Sequence, residues 1–461
     1  MSKSKPIYLD YASTTPVDER VAEKMLEQTN SLESFVEDLR GSGYRHVVLL
    51  GIGGSSVGEQ VLAQAYSTLF EKQFGEVLQT MDFIALDSTV PGSVLEVTEK
   101  IDPAHTIFLI SSKSGSTFET NVLYDYFSGL VENIVGSDRV GQHFAAITDS
   151  GTSLDKLSRR VGFREVFLNP LDIGGRYSVL SYFGLVPSAL NGFDFKELLG
   201  RAEFMRSMCR RSVYQDENPG LWLGIVMATV ARQGRDKLTI ITSPSVDKFG
   251  LWVEHLVAES TGKEGGGIIP IVGEPLVSAD IYADDRLFVY LRLDGDSNLE
   301  VDQAVDRIEE IGHPVVRFRM RDIYDLGAEF YRWEFATAVA GAVFGINPFD
   351  QPNVQESKGI TSSILERYQT SGELPERQYG LSISELLDRA NPPNYFAILA
   401  YMRQMPEVDC AIKAIREKVL GRYGIATTAS YGPGYLHSAG ELHKGGPDSG
   451  FSAREVHQSC R

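Results

Sequence analysis

The sequence predicts an α/β protein built as two doubly wound lobes, each a parallel sheet flanked by helices. Three observations carry this. From about residue 45 onward, short apolar runs alternate with stretches of helical spacing. The strand cores of the first set are fully apolar, which fits a sheet covered on both faces. After residue 190 the same grammar begins again.

In chain order, HVVLLGIGG (46–54) is an apolar run closing in glycines, and VGEQVLAQAYSTLF (57–70) follows with helical spacing. DFIALD (82–87) is a strand. HTIFLISSKSGSTFETNVLYDYFSGLV (105–131) reads as strand, polar loop and helix. HFAAITD (143–149) and REVFLN (164–169) complete the first set of strands. A helix-rich stretch (about 194–234) leads to KLTIITSPS (237–245), a strand breaking into a Ser-rich loop. KFGLWVEHLVAES (248–260) is helical; GGIIPIVG (266–273), RLFVYLRL (286–293) and PVVRFRM (314–320) are strands. EFYRWEFATAVAGAVFG (329–345) is a long helix, apolar on most faces, that stops at a glycine. The expected division is residues 31–190 for the first lobe and 191–450 for the second, with a helical C-terminal part. A crevice between the lobes is the place for a site.

Length and composition set the limits. The chain has 461 residues, with 43% hydrophobic and 23% charged residues, the balance of a folded globular protein. No apolar run approaches the length of a membrane span, and the start lacks a secretory h-region, so no membrane association is expected. The net charge of −18 argues against sequence-independent nucleic-acid binding, and a phosphorylated ligand would need a local cradle working against the global field. Three scattered cysteines support neither a disulfide framework nor a zinc site, so no metal is expected and the cytoplasm is the expected compartment.

Five segments carry chemistry. Ser111–Thr120 (SSKSGSTFET) follows a strand and opens a helix. Hydroxyls, N–H groups and the positive end of a helix converge there as a phosphate cradle. Five hydroxyl residues between Ser112 and Thr120 exceed what a helix cap needs. GIGGSS (51–56) allows close approach of the backbone to a ligand, or is a plain βα turn; as a dinucleotide fingerprint it fails, because Ser56 stands where a third glycine belongs. DIGGRYS (172–178) presents Arg176 after paired glycines, either to a ligand or to a surface ion pair. In EHLVAESTGK (254–263), Glu259 lies four residues after His255 and hence on its helical face. It is either a general base or a solvated helical carboxylate. NPFDQPNVQESK (347–358) is a shaped loop after a buried helix, with either a functional or a structural purpose.

Taken together and in this order, GIGGS, SKSGSTFET, GGRYS, AESTGK and NPFDQPNVQESK resemble the glucose-6-phosphate isomerase family. With TASYGPGYLHSAGELHKGGP, they resemble the isomerase half of bifunctional transaldolase/glucose-6-phosphate isomerases over about residues 32–450. The resemblance implies two sugar-isomerase (SIS) lobes, a homodimer and no cofactor. The implied activity is interconversion of glucose 6-phosphate and fructose 6-phosphate through an enediol. By motif position it implies that Ser112, Lys113, Ser114 and Thr117 hold the phosphate, and that Gly54 and Ser55 line the sugar. Gly175 and Arg176 would face the enediolate, with Glu259 as the base. Gln351 and Lys358 would contact substrate, the Lys assisting ring opening. A low-polarity pocket is expected to raise the pKa of Glu259.

Some features depart from the family. His255 stands where Gln is common, and is expected as a tolerated polar substrate contact. GEPLVSADIYADDR (273–286) lacks the family's ring-opening His, so His437, or else His443, is expected to replace it. Residues 1–30 resemble the opening of a cysteine desulfurase without its later cofactor Lys and catalytic Cys motifs, and are expected to be a foreign extension. Residues 451–461 form an atypical tail. The alternatives in function are a non-catalytic sugar-phosphate-binding SIS protein, an inactive truncated isomerase, or a nicotinamide-dependent enzyme. Glu259 and Lys358 together favour an enzyme, because a sensor needs neither.

Overall fold

The computed structural model describes residues 19–74, 81–373 and 380–456. The first sheet contains β1 (His46–Gly51), β2 (Asp82–Leu86), β3 (Thr106–Ser111), β4 (Phe144–Asp149) and β5 (Glu165–Asn169). They run parallel in the order β2-β1-β3-β4-β5. The second contains β6 (Lys237–Thr242), β7 (Ile269–Val272), β8 (Arg286–Leu293) and β9 (Val315–Met320), parallel in the order β7-β6-β8-β9. Both are the doubly wound α/β sheets expected from the continuous apolar runs. Val47, Val48, Leu49 and Leu50 of β1 are all fully buried, which only a sheet covered on both faces permits.

The order of each sheet reverses once, between β1 and β3 and between β6 and β8. Connections leave such a point in opposite directions and open a crevice at the carboxyl ends of the strands. Gly51 and Ser111 are paired neighbours at the first reversal, so the glycine turn and the hydroxyl loop emerge side by side. The second reversal is filled by the chain itself. The Ser243 hydroxyl donates to Asn298 Oδ1 (2.6 Å), and the Ser245 N–H donates to the Asp296 carboxylate (2.8 Å).

Between the sheets runs the helix Phe249–Thr261, in which every residue but Leu251 is buried. Its apolar side meets the long helix Asp325–Phe344, with the Trp252 and Phe330 rings edge to face at 4.7 Å. Its polar residues are therefore buried too and must find partners inside the protein.

The C-terminal part corrects the expectation of a helical appendage. It carries a third parallel sheet of β10 (Tyr395–Tyr401), β11 (Ala426–Tyr431) and β12 (Gly450–Val456), in the order β11-β10-β12. YFAILAY is a fully apolar run of strand length, and six of its seven residues are buried. The segment expected as a tail thus supplies a strand as far as Val456. This sheet is tied to the second through buried Arg416, whose guanidinium donates to Val272 O (2.8 Å) and Thr427 O (2.7 Å). Glu274 accepts from Thr427 N–H (2.7 Å) and from Arg286 (2.8 Å). At the other end, the expected boundary at residue 30 falls inside one helix, Glu19–Gly41. The desulfurase-like opening through residue 18 lies outside the described residues.

Candidate active site

The hydroxyl loop joins β3 to the helix Phe118–Val135. Gly115 takes φ +64°, and a Cβ there would lie 2.7 Å from that of Thr152, so the tight turn requires glycine. Within it Ser112 Oγ and Thr117 Oγ1 are 3.0 Å apart, and the Ser114 and Ser116 side chains meet at the exposed rim. The structure therefore brings Ser112, Ser114 and Thr117 together at a helix N-terminus. Lys113 shares the loop but turns its ammonium to Asp149 (2.5 Å) and Leu171 O (3.2 Å).

The glycine turn is where three distant motifs meet. A Cβ on Gly53 would lie 2.7 Å from His437 O and 3.5 Å from the His255 ring. One on Gly54 would lie 2.5 Å from Gly175 O. The glycines thus serve close approach of one backbone to another. Gly175 itself faces open space, with nothing within 4 Å of a notional Cβ. Ser55 ends the same turn, partly buried.

Arg176 is buried, not on the surface, and meets the end of the helix Phe249–Thr261. Its Nε donates to Ser260 Oγ (2.7 Å) and its Nη1 reaches Glu259 Oε1 at 3.4 Å. Tyr177 shares the same Ser260 hydroxyl at 3.0 Å. The other oxygen of Glu259 lies 2.6 Å from His255 Nε2, one helical turn back. Glu259 is thus a buried carboxylate held between a guanidinium and an imidazole, and the solvated alternative is excluded.

This corrects the expected electrostatics. Burial is the largest single influence on Glu259 and pushes its pKa up, but His255, Arg176 and His437 together outweigh it. The net result lies below the ordinary carboxylate value. A carboxylate set between a guanidinium and an imidazole does not sit in the low-polarity pocket expected. The charged environment of neighbouring Glu254 is weaker, and its pKa is pushed up to about 7 by burial.

His255→Gln tests this balance. Removing the imidazole removes the largest of the lowering influences and leaves burial in place, so the Glu259 pKa must rise. Activity that needs the carboxylate ionised should then fail at a higher pH. The acidic limb of the kcat/KM profile is expected to move to higher pH. An unmoved limb would show that His255 does not set the charge of Glu259.

His437 arrives from the third sheet on the loop after β11 and places Nε2 3.2 Å from Glu119 Oε1, beside the glycine turn. His443 instead lies against Tyr395, whose hydroxyl is 2.9 Å from Nδ1. It belongs to the third sheet's packing. Gln351 stands at the N-cap position of the helix Pro352–Ser371 without a side-chain capping bond, and Lys358 lies on that helix; the Lys358 side chain falls outside the described residues. Sequence reasoning passed over Ser260, Lys263, Asp350 and Glu119 as individuals, although each lies inside a motif it had singled out. Among the described residues, no three His, Cys, Asp or Glu side chains cluster as metal ligands, and no helix is long and apolar enough to cross a membrane.

Comparison with known proteins adds to this geometry. The family model described as phosphoglucose isomerase matches residues 1–266. A probable glucose-6-phosphate isomerase of Methanococcus maripaludis is 26% identical over 359 residues, covering 70% of this chain and 79% of that protein. The glucose-6-phosphate isomerase of Methanocaldococcus jannaschii is 26% identical over 360 residues, covering 71% and 86%. Among solved structures, a hypothetical protein of Thermus thermophilus matches with a TM-score of 0.65 at 23% identity, covering 74% of this chain and 88% of that one. A glucose-6-phosphate isomerase of Chlamydia trachomatis matches with 0.63 at 20%, covering 82% and 81%. These two likenesses bear on the fold, which they share.

Proposed function

The chain belongs to the phosphoglucose isomerase family, and we infer that its crevice interconverts glucose 6-phosphate and fructose 6-phosphate through an enediol. The observation that carries this is the buried Glu259 carboxylate set against Arg176, on a helix whose His255 lies beside the glycine turn. Aldose–ketose isomerisation moves one weakly acidic proton between adjacent carbons. A single carboxylate can take it from one and return it to the other. The charge that develops on the oxygens needs a fixed cation, which Arg176 supplies without moving a proton.

In this reading Ser112, Ser114 and Thr117 hold the phosphate at the helix N-terminus, with Lys113 in the same loop. Gly54, Ser55 and Gly175 shape the sugar side, and His255 and Gln351 line it. Holding the phosphate, remote from C1 and C2, orients the reacting carbons. His437 or Lys358 opens the ring. Kinship with the isomerase half of bifunctional transaldolase/isomerases, the desulfurase-like character of residues 1–30, a homodimer and a cytoplasmic location complete the proposal.

The deciding experiment is a coupled assay of fructose 6-phosphate conversion on the purified protein. No turnover by the folded protein would refute the reading. The phosphate assignment has its own test. Ser114→Ala combined with Thr117→Ala should raise KM at least tenfold while lowering kcat less, because binding common to substrate and transition state is lost. An unchanged KM would place the phosphate elsewhere.

A further inference from the structure

Lys263 follows the helix that carries Glu259 and is buried, with a side chain only 2% exposed. Its ammonium has three protons and uses all three within the segment 347–350. It donates to Asn347 O (3.0 Å), Asp350 O (2.7 Å) and Asp350 Oδ1 (2.8 Å). A buried ammonium is tolerated only with this kind of pairing. The carboxylate is half exposed, so the contact holds a surface loop to an interior charge.

Arg176 grips the same segment from the other side. Its Nη2 donates to Pro348 O and to Asp350 O (3.1 Å). Asp350 O therefore accepts from both cations. Phe349 lies against the Tyr177 ring, with centroids 5.2 Å apart, and the Asn347 side chain accepts from Phe349 N–H (3.0 Å). The carbonyls that fix the Arg176 guanidinium, whose Nη1 points to Glu259, thus belong to a loop whose own position is fixed by Lys263. The next residue is Gln351, which opens the helix bearing Lys358.

We propose that Lys263 is a positioning residue: it clamps the segment 347–350 and through it holds Arg176 in register with Glu259. This rests on the isomerase reading for its kinetic consequence, but not for the clamp itself. A misplacement of about 1 Å in such a group costs up to about a hundredfold in rate. The phosphate loop is untouched by it.

The test compares Lys263→Met and Asp350→Asn with the parent protein. Asp350→Asn leaves the ammonium its two carbonyl acceptors and covers the case in which Lys263→Met fails to fold. In Lys263→Met, kcat per folded molecule should fall at least tenfold, while KM for fructose 6-phosphate stays within about threefold. Asp350→Asn should show the same split with a smaller loss, about threefold to tenfold in kcat. Hydrogen exchange of the segment 347–351 should quicken at least tenfold in Lys263→Met, with β1 and β6 unchanged. A residue that only supports folding would lower the melting temperature and leave kcat and local exchange alone. A kcat within twofold of the parent, in Lys263→Met or, if that variant does not fold, in Asp350→Asn, would overturn the proposal. If the parent shows no isomerase activity, the isomerase reading falls and hydrogen exchange alone decides the clamp, unchanged exchange refuting it.

Discussion

Glu259→Gln is expected to abolish turnover while leaving substrate bound. The amide keeps the size and hydrogen-bonding reach of the carboxylate but cannot accept a proton from carbon. The loss should be at least the 10²–10⁴-fold that a positioned general base contributes. Binding should survive, because the hydroxyl loop lies on a different lobe and does not depend on the charge of Glu259. The sharper readout is the C2 proton of glucose 6-phosphate. Its exchange with solvent deuterium needs the same abstraction as turnover, so both should vanish together. Ring opening should persist, since it draws on other groups. A variant that keeps near-normal exchange would remove Glu259 from its role and make His255, 2.6 Å away, the next base to examine.

Arg176→Ala should act on rate and stability together. The guanidinium is the meeting point of Ser260, Glu259, Pro348 O and Asp350 O. Its removal leaves the buried Glu259 carboxylate without its guanidinium and Pro348 O without this donor, while Asp350 O keeps Lys263. Breaking a buried pair in this way costs about 3–5 kcal/mol, read as a lower urea midpoint. Loss of the cation facing the developing enediolate should cost a further 10²–10³ in kcat, as for other fixed donors to an oxyanion. Arg176→Lys separates the two effects. A single ammonium restores charge but cannot span partners on three sides, so stability should recover in part and rate should not. A Lys variant with parental kcat would show that charge alone suffices and that the fork geometry has no kinetic role.

The parts legible in the sequence are those whose signal is local. The central strands β1, β3, β4, β6 and β8 are almost wholly buried runs because helices cover both sheet faces, and that pattern survives without any knowledge of partners. The site motifs were legible because each is a short continuous stretch: two at the ends of strands β1 and β3, one after β5, one at the end of the helix Phe249–Thr261 and one between two helices. The third sheet was less so. Its strand β12, GFSAREV, mixes polar and apolar residues at a sheet edge and declares itself only by pairing with β10, some 50 residues earlier. The sign of the Glu259 shift was not legible at all. It is a balance between burial and the combined pull of His255 on the same helix, Arg176 from 83 positions earlier and His437 from 178 positions later, and a helix seen alone shows neither the burial nor the two distant partners. Lys263 belongs with it, as its partners come from 84 and 87 residues away.

The filled second reversal has a consequence for the direction in which a substrate can lie. The two lobes repeat one architecture, and each ends a central strand in a Ser-rich loop, so the fold alone would offer two receptors for an anion. In the second lobe a carboxylate, Asp296, already occupies the N–H of Ser245, and an incoming phosphate would meet a like charge there. The repeat is therefore symmetric in its strands and asymmetric in its recognition. On the proposed assignment of the site, a sugar phosphate has one end to anchor and one way to point: its charged end toward the first lobe, its carbonyl end toward the helix of the second.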